Sequence, residues 1–289
     1  MDPLSRIERA LNTAVGRAEH PGCPPLLAAA MRHSVFPRGA RIRPRLTLAV
    51  AAACAEDNED ITDAAAAAIE LLHCASLIHD DLPCFDDADT RRGKPSVHRA
   101  FGEPLAVLAG DALIVLAFQT LATGAALAPQ RLGPLVQTVS RAVGVPSGIC
   151  AGQAWECEPN ADLALYQREK TGALFAAATI GGAVAAGAEG EPWRMLGMRL
   201  GEAFQVADDI RDVACSAAEL GKPVGQDAAL DRPNAVRQYG LEGAIDHLEA
   251  LAQGAVVAVP PCPGQASLRA HILTETRRLL PKELARHAA

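Results

Sequence analysis

Apolar residues recur at three- and four-residue spacing along almost the whole chain, the period of helices that bury one face or all faces. The pattern predicts helices over 4–20, 24–34, 44–56, 60–82, 104–123, 131–143, 163–186, 193–212, 241–257 and 265–280. Pro44 suits the first turn of the third, where a missing N–H costs nothing. The segment 60–82 is Ala-rich and apolar on most sides, so it belongs at the centre. Pro83 interrupts it, and the polar stretch 86–94 reads as a loop. Gly144 and Pro146 close the helix ending at 143. Residues 221–234, polar with Gly and Pro, read as a loop over a functional region, and 256–263 as a proline-rich connection. No repeat, linker or strand-period segment interrupts the series, which predicts one all-α domain over residues 1–289.

Composition agrees. Hydrophobic residues make up 49% of the chain and aromatics only 3%. An apolar content dominated by Ala, Leu and Val favours close-packed helices over a β-sandwich. The net charge of −7 offers none of the basic surface expected for nucleic-acid binding. The 8 cysteines contain no CxxC pair, which points to free thiols in a reducing cytoplasm. The charged, amphipathic stretch 1–17 is unlike a signal peptide. A membrane span, which needs a run of about 18 apolar residues, is not expected.

Two acidic clusters change the picture. Asp80, Asp81, Asp86, Asp87 and Asp89 follow the apolar run 64–78, and Arg91 and Arg92 come next. So many like charges at the rim of a buried helix are unfavourable unless cations neutralise them. Hard divalent cations prefer such oxygen ligands. A solvated acidic loop is the plainer alternative, but the apolar lead-in argues against it. An EF-hand lacks support, because its glycine and terminal glutamate are missing. The second cluster is Asp208, Asp209 and Asp212, near the end of another apolar helix. Asp208 and Asp212 are four apart and share a helix face. Facing each other with Mg²⁺ between them, two such clusters form a clamp for phosphate oxygens. Arg91, Arg92, Lys170 and Lys222 supply the positive charge such a clamp needs. The Lys170-Thr171-Gly172 triplet also occurs in β-lactamases, whose other motifs are absent.

These residues resemble the trans-isoprenyl diphosphate synthase family of farnesyl and geranylgeranyl diphosphate synthases. Its first motif, DDxxxxD, matches Asp80, Asp81 and Asp86, followed by Arg91-Arg92-Gly93-Lys94-Pro95. Its second, FQxxDDxxD, matches Phe204, Gln205, Asp208, Asp209 and Asp212. Lys170-Thr171-Gly172 and Gly221-Lys222 follow in order, and the likeness runs from about residue 38 to about residue 227. The resemblance implies an all-α bundle around a deep central cavity, usually a homodimer. It implies Mg²⁺, three ions with substrate bound, held by Asp80, Asp81, Asp86 and Asp208 with Asp209 and Asp212 in support. Arg91, Lys170, Thr171, Gln205 and Lys222 then hold an allylic diphosphate. Arg43, His73 and Arg92 hold isopentenyl diphosphate. Where the family has a lysine before Arg-x-Arg-Pro, this chain has Ala40, which shifts that role to Arg38 or Arg41.

The implied reaction lengthens a prenyl chain, with the product running down beside the helix that carries Asp80. Ser76 and Ala75, roughly 6–7 Å below Asp80, are small. Leu72 and Leu71, roughly 12–13 Å below it, are candidates for the floor. Farnesyl-forming relatives commonly place an aromatic at the upper level. The expected product is therefore geranylgeranyl diphosphate, made from farnesyl diphosphate and feeding pathways such as carotenoid synthesis. A farnesyl diphosphate synthase, a terpene cyclase and a non-catalytic regulatory subunit are the competing readings.

Overall fold

The computed structural model describes residues 2–36, 39–54, 58–159, 168–214 and 234–279. Helices dominate these residues: α1 (Pro3–Gly16), α2 (Pro25–Val35), α3 (Ile42–Cys54), α4 (Glu59–Asp80), α5 (Val97–Phe101), α6 (Glu103–Gly124), α7 (Pro129–Val143), α8 (Ile149–Trp155), α9 (Ala173–Ala185), α10 (Arg194–Ala214), α11 (Ala235–Val257) and α12 (Gln265–Arg277). Contacts divide the chain into two compact units. One comprises Met1–Ala52, Glu56–Val139 and Gly181–Ala188, and the other comprises Ala53–Ala55, Ser140–Ile180 and Glu189–Ala289.

In the first unit α4 is the central helix. Its Ala-rich stretch 64–69 is shut off from solvent on all sides, because small side chains let neighbouring backbones approach closely. Gly124 of α6 illustrates this: a Cβ there would lie 2.2 Å from Cβ of Ala64. Gly110 of α6 similarly leaves room for the ring of His79, which a Cβ would meet at 2.1 Å. By length and composition α4 and α6 pass the test for a membrane-crossing helix, a test that the core helix of a soluble protein also passes. The apolar window of α4 is 78% buried within the protein, and that of α6 44%. α6 leaves Val107, Leu108 and Val115 exposed.

In the second unit α10 packs along α11. Ala203, Val206, Ala207 and Ile210 of α10 meet Ala235, Ala244, Leu248 and Leu251 of α11 in one buried cluster. Gly240, with φ 72°, bends α11 within its second turn.

The structure adds elements that periodicity did not predict. A two-residue hairpin, β1 (Thr90–Arg91) paired antiparallel with β2 (Lys94–Pro95), stands where a loop was expected. Its turn residues Arg92 and Gly93 have φ of 54° and 75°, as a tight hairpin turn of the primed kind demands. α5 and α8 are also new, being too short to show a period. α3 begins two residues before Pro44, and Pro134 lies inside α7.

Candidate active site

Asp80 ends α4 and Asp81 caps it. Carboxylates at a helix C-terminus face the negative end of its dipole, so the chain must hold them there by other means. The turn after α4 does so. Asp86 N–H donates to the Asp80 carbonyl at 3.0 Å and Ala88 N–H to the Asp81 carbonyl at 3.1 Å. Asp86 is thereby folded back toward the helix end. Arg91 donates through both Nε and Nη2 to Asp81 Oδ1. Burial pushes the Asp81 carboxyl up, while Arg91 pulls it down. Burial opposes the charge on Arg91, but Asp81, Asp80 and Asp86 together hold its proton above the ordinary arginine value. Asp87 and Asp89 are exposed and pair with Arg99 at 3.1 and 2.7 Å. Of the five carboxylates in this stretch, Asp80, Asp81 and Asp86 are thus set apart from Asp87 and Asp89.

Two turns earlier α4 carries a cationic pocket. His73 lies among Arg43, Arg92, Arg91 and Arg41. Burial, then the charges of those arginines in that order, hold its imidazole well below 6.5. It is a neutral ring in a positive field. Burial pushes the Arg43 guanidinium down to about 10, with Glu70 countering and Arg92 adding to the fall. Gly39 lies against the Arg92 guanidinium, whose Cζ a Cβ would meet at 2.7 Å. A side chain at position 39 would push the Arg92 guanidinium from this place.

Glu70 is a functional candidate that sequence reasoning missed. It is 2% exposed. It accepts from Arg41 Nη1 at 2.6 Å and lies 3.7 Å from Arg92 Nη2. Arg41 also donates to Glu8 at 2.9 Å and to the Val35 carbonyl at 2.8 Å. Burial works against the Arg41 charge, yet Glu70 and Glu8 hold its proton above the ordinary arginine value. Arg41 is thus a buried structural cation, and it does not stand in for a lysine at position 40. Arg38 lies outside the described residues, as does Lys222.

Ala75 and Leu72 are buried in the interior of α4, 1% and 2% exposed. Ser76 donates its hydroxyl to the His73 carbonyl at 2.8 Å, which leaves little side-chain bulk at that level.

In the second unit Lys170 and Thr171 sit on a widened turn, Arg168–Gly172. Gly201 of α10 packs on that turn, where a Cβ would fall 2.8 Å from Gly172 Cα. It is Gly201 that this close approach requires to be glycine, whereas a Cβ on Gly172 would meet only the end of the Met198 side chain at 3.2 Å. Lys170 Nζ donates to Glu156 Oε1 at 2.9 Å, and Gln153 holds Glu156 from its other side at 2.6 Å. Neither Gln153 nor Glu156 was singled out from sequence. On α10, Gln205, Asp208 and Asp212 are spaced three and four apart on one face. Asp208 accepts from Arg211 at 3.2 Å. Asp209 is turned inward, 3% exposed, accepting from Gln205 Nε2 at 3.1 Å and from Ala235 N–H at 2.8 Å.

Among the described residues no three carboxylate, imidazole or thiol side chains converge as a ready-made metal cage. Mg²⁺ does not need such a cage: it keeps water and takes one or two carboxylates together with substrate phosphates. In the first unit the hard oxygens of Asp80, Asp81 and Asp86, gathered at the end of α4, are of the kind such an ion takes.

The polyprenyl synthetase family model matches residues 24–254. The chain belongs to the polyprenyl synthetase family. It is 55% identical over 280 residues to the geranylgeranyl diphosphate synthase of Cereibacter sphaeroides, covering 97% of each chain. It is 56% identical over 263 residues to that of Rhodobacter capsulatus, covering 91% of each. A crystal structure of a geranyltransferase from Helicobacter pylori complexed with magnesium and isoprenyl diphosphate superposes with a TM-score of 0.79 at 29% identity, over 96% of this chain and 98% of that one. The all-α fold expected from the sequence is the fold of this geranyltransferase.

Proposed function

We propose that the chain condenses isopentenyl diphosphate with an allylic diphosphate, principally farnesyl diphosphate, to give geranylgeranyl diphosphate and diphosphate. The observation that carries this reading is the layout of α4. Its end presents Asp80, Asp81 and, through the following turn, Asp86. Two turns below lies the arginine pocket around His73. Carboxylates take a diphosphate through metal, and arginines take one directly. A chain-lengthening enzyme needs both kinds of site, whereas a cyclase has one diphosphate to hold.

Asp80, Asp81, Asp86 and Asp208 would hold Mg²⁺, with Asp212 in support, as three ions once substrate is bound. Bound there, Mg²⁺ supplies positive charge that stabilises the leaving diphosphate as the allylic C–O bond breaks. Arg91, Lys170, Thr171, Gln205 and Lys222 hold that diphosphate. Arg43, Arg92 and the neutral His73 hold isopentenyl diphosphate, His73 by donating an N–H. The alkene attacks the allylic carbon, and the proton then lost passes to the departing diphosphate, so no side-chain base is needed. The apolar walls of the helices keep water from the cation. The product descends past Ala75 and Ser76 toward Leu72. The enzyme works in the cytoplasm as a homodimer, with the exposed face of α6 covered by a second copy.

The test is incorporation of labelled isopentenyl diphosphate by the purified protein with farnesyl diphosphate and Mg²⁺. Label passes from acid-stable isopentenyl diphosphate into an acid-labile allylic prenyl diphosphate, and Asp80→Ala or Asp208→Ala each abolishes this. Unlabelled cyclic hydrocarbon in place of labelled prenyl diphosphate sinks the reading.

A further inference from the structure

The three aspartates of the second cluster are chemically alike and adjacent in sequence, but the structure treats one of them differently. Asp208 and Asp212 are partly exposed, while Asp209 is buried at 3%. Its two oxygens have separate tasks. Oδ2 accepts from the backbone N–H of Ala235 at 2.8 Å, the first residue of α11. Asn234 caps the next two donors, Val236 N–H and Arg237 N–H, at 2.9 and 3.2 Å. Asp209 thus completes the N-terminus of α11, where a carboxylate is favoured. Oδ1 accepts from Gln205 Nε2 at 3.1 Å. The carbonyl of the same amide, Gln205 Oε1, accepts from the Thr171 hydroxyl at 3.3 Å.

An ionised carboxylate can only accept, so the Gln205 amide has to turn its nitrogen toward Asp209. Its oxygen must then face Thr171, which obliges the Thr171 hydroxyl to donate toward Gln205. The hydrogen bonds run in one direction along the line Thr171–Gln205–Asp209, and the Ala235 N–H closes it from the other side. The second N–H of Gln205 is left for an anion.

We propose that Asp209 is a positioning residue rather than a metal ligand: anchored to the start of α11, it fixes the Gln205 amide and, through it, Thr171 for the allylic diphosphate. This rests on the reading that Thr171 and Gln205 bind that diphosphate. Asp209→Asn is the informative change because it keeps the shape. The Ala235 N–H can only donate, so the new amide gives it its oxygen and turns its NH₂ toward Gln205. Gln205 must then flip, presenting nitrogen to Thr171 and reversing that bond.

The experiment pairs kinetics with binding of inorganic diphosphate at saturating Mg²⁺, measured by calorimetry on the full chain. Transfer of labelled isopentenyl diphosphate by the wild type tests the underlying function on its own. For Asp209→Asn, diphosphate affinity and kcat/KM for farnesyl diphosphate fall by about tenfold, the scale of one charge-assisted hydrogen bond. The KM for isopentenyl diphosphate and the Mg²⁺ concentration for half-activity stay within about twofold. In a Gln205→Met background the same change adds no further loss, because the two residues act as one unit. A tenfold rise in the Mg²⁺ requirement overturns the proposal, as does a full additional loss in the Gln205→Met background. The Asp209→Glu variant guards against a folding artefact: it retains charge and both acceptors, and recovers diphosphate affinity relative to Asp209→Asn. Failure of that recovery also counts against the proposal.

Discussion

Arg41 donates from Nη1 to Glu70 Oε1 at 2.6 Å, with both side chains closed off from solvent. A buried ion pair need not add stability, but removing one partner strands the other charge and costs about 3–5 kcal/mol. Glu70→Gln should lower unfolding free energy by that order in urea titration. Glu8, the more exposed partner of Arg41, should cost less when changed to Gln. Because Glu70 also lies near Arg92, the Glu70 variant should raise KM for isopentenyl diphosphate more than for the allylic substrate.

The sequence made α4 plain, since a long apolar run ending in carboxylates has few other readings. It did not reveal Glu70. A single glutamate in an apolar helix means nothing until Arg41 is seen to reach it. The hairpin at Arg91 and Arg92 was illegible for a different reason: two-residue strands carry no period. Asp209 stood level with Asp208 and Asp212 in the motif. Only the path of α11 beside α10 shows that it points inward. Assigning the charge missing at Ala40 to Arg41 ignored burial, which ties Arg41 to Glu70 and Glu8.

His73 gives the site a pH signature. Its folded value is depressed below the ordinary 6.5, so the unfolded chain binds a proton more readily. Its contribution to stability is fully present above pH 6.5 and is lost as pH falls toward the folded value. Wild-type stability should therefore drop as pH falls from about 6.5. His73→Gln should flatten that part of the profile, measured as thermal midpoint against pH in the absence of substrate.

Chain length should respond to bulk on α4. Ala75 is 1% exposed, so a larger side chain there must intrude on whatever lies beside it. Ala75→Phe should shift product from twenty carbons to fifteen when dimethylallyl diphosphate is the starter. Reverse-phase chromatography of dephosphorylated products reads the ratio. An unchanged twenty-carbon product removes Ala75 from the gating role.

Leu108 and Val115, exposed by 52% and 56% on α6, are proposed to meet a second copy. Sedimentation should show a dimer for the wild type. Leu108→Glu together with Val115→Glu should give monomer, since two unpaired charges in an apolar interface cost several kcal/mol. A variant that remains dimeric places the interface elsewhere.

The account as a whole is tested most directly by the product of the purified wild type acting alone. Farnesyl diphosphate, labelled isopentenyl diphosphate and Mg²⁺ are incubated, and the chain length of the labelled product is measured. The account predicts geranylgeranyl diphosphate as the main product, lost on chelation of the metal. A main labelled product longer than twenty carbons, or no labelled product without a partner protein, contradicts it.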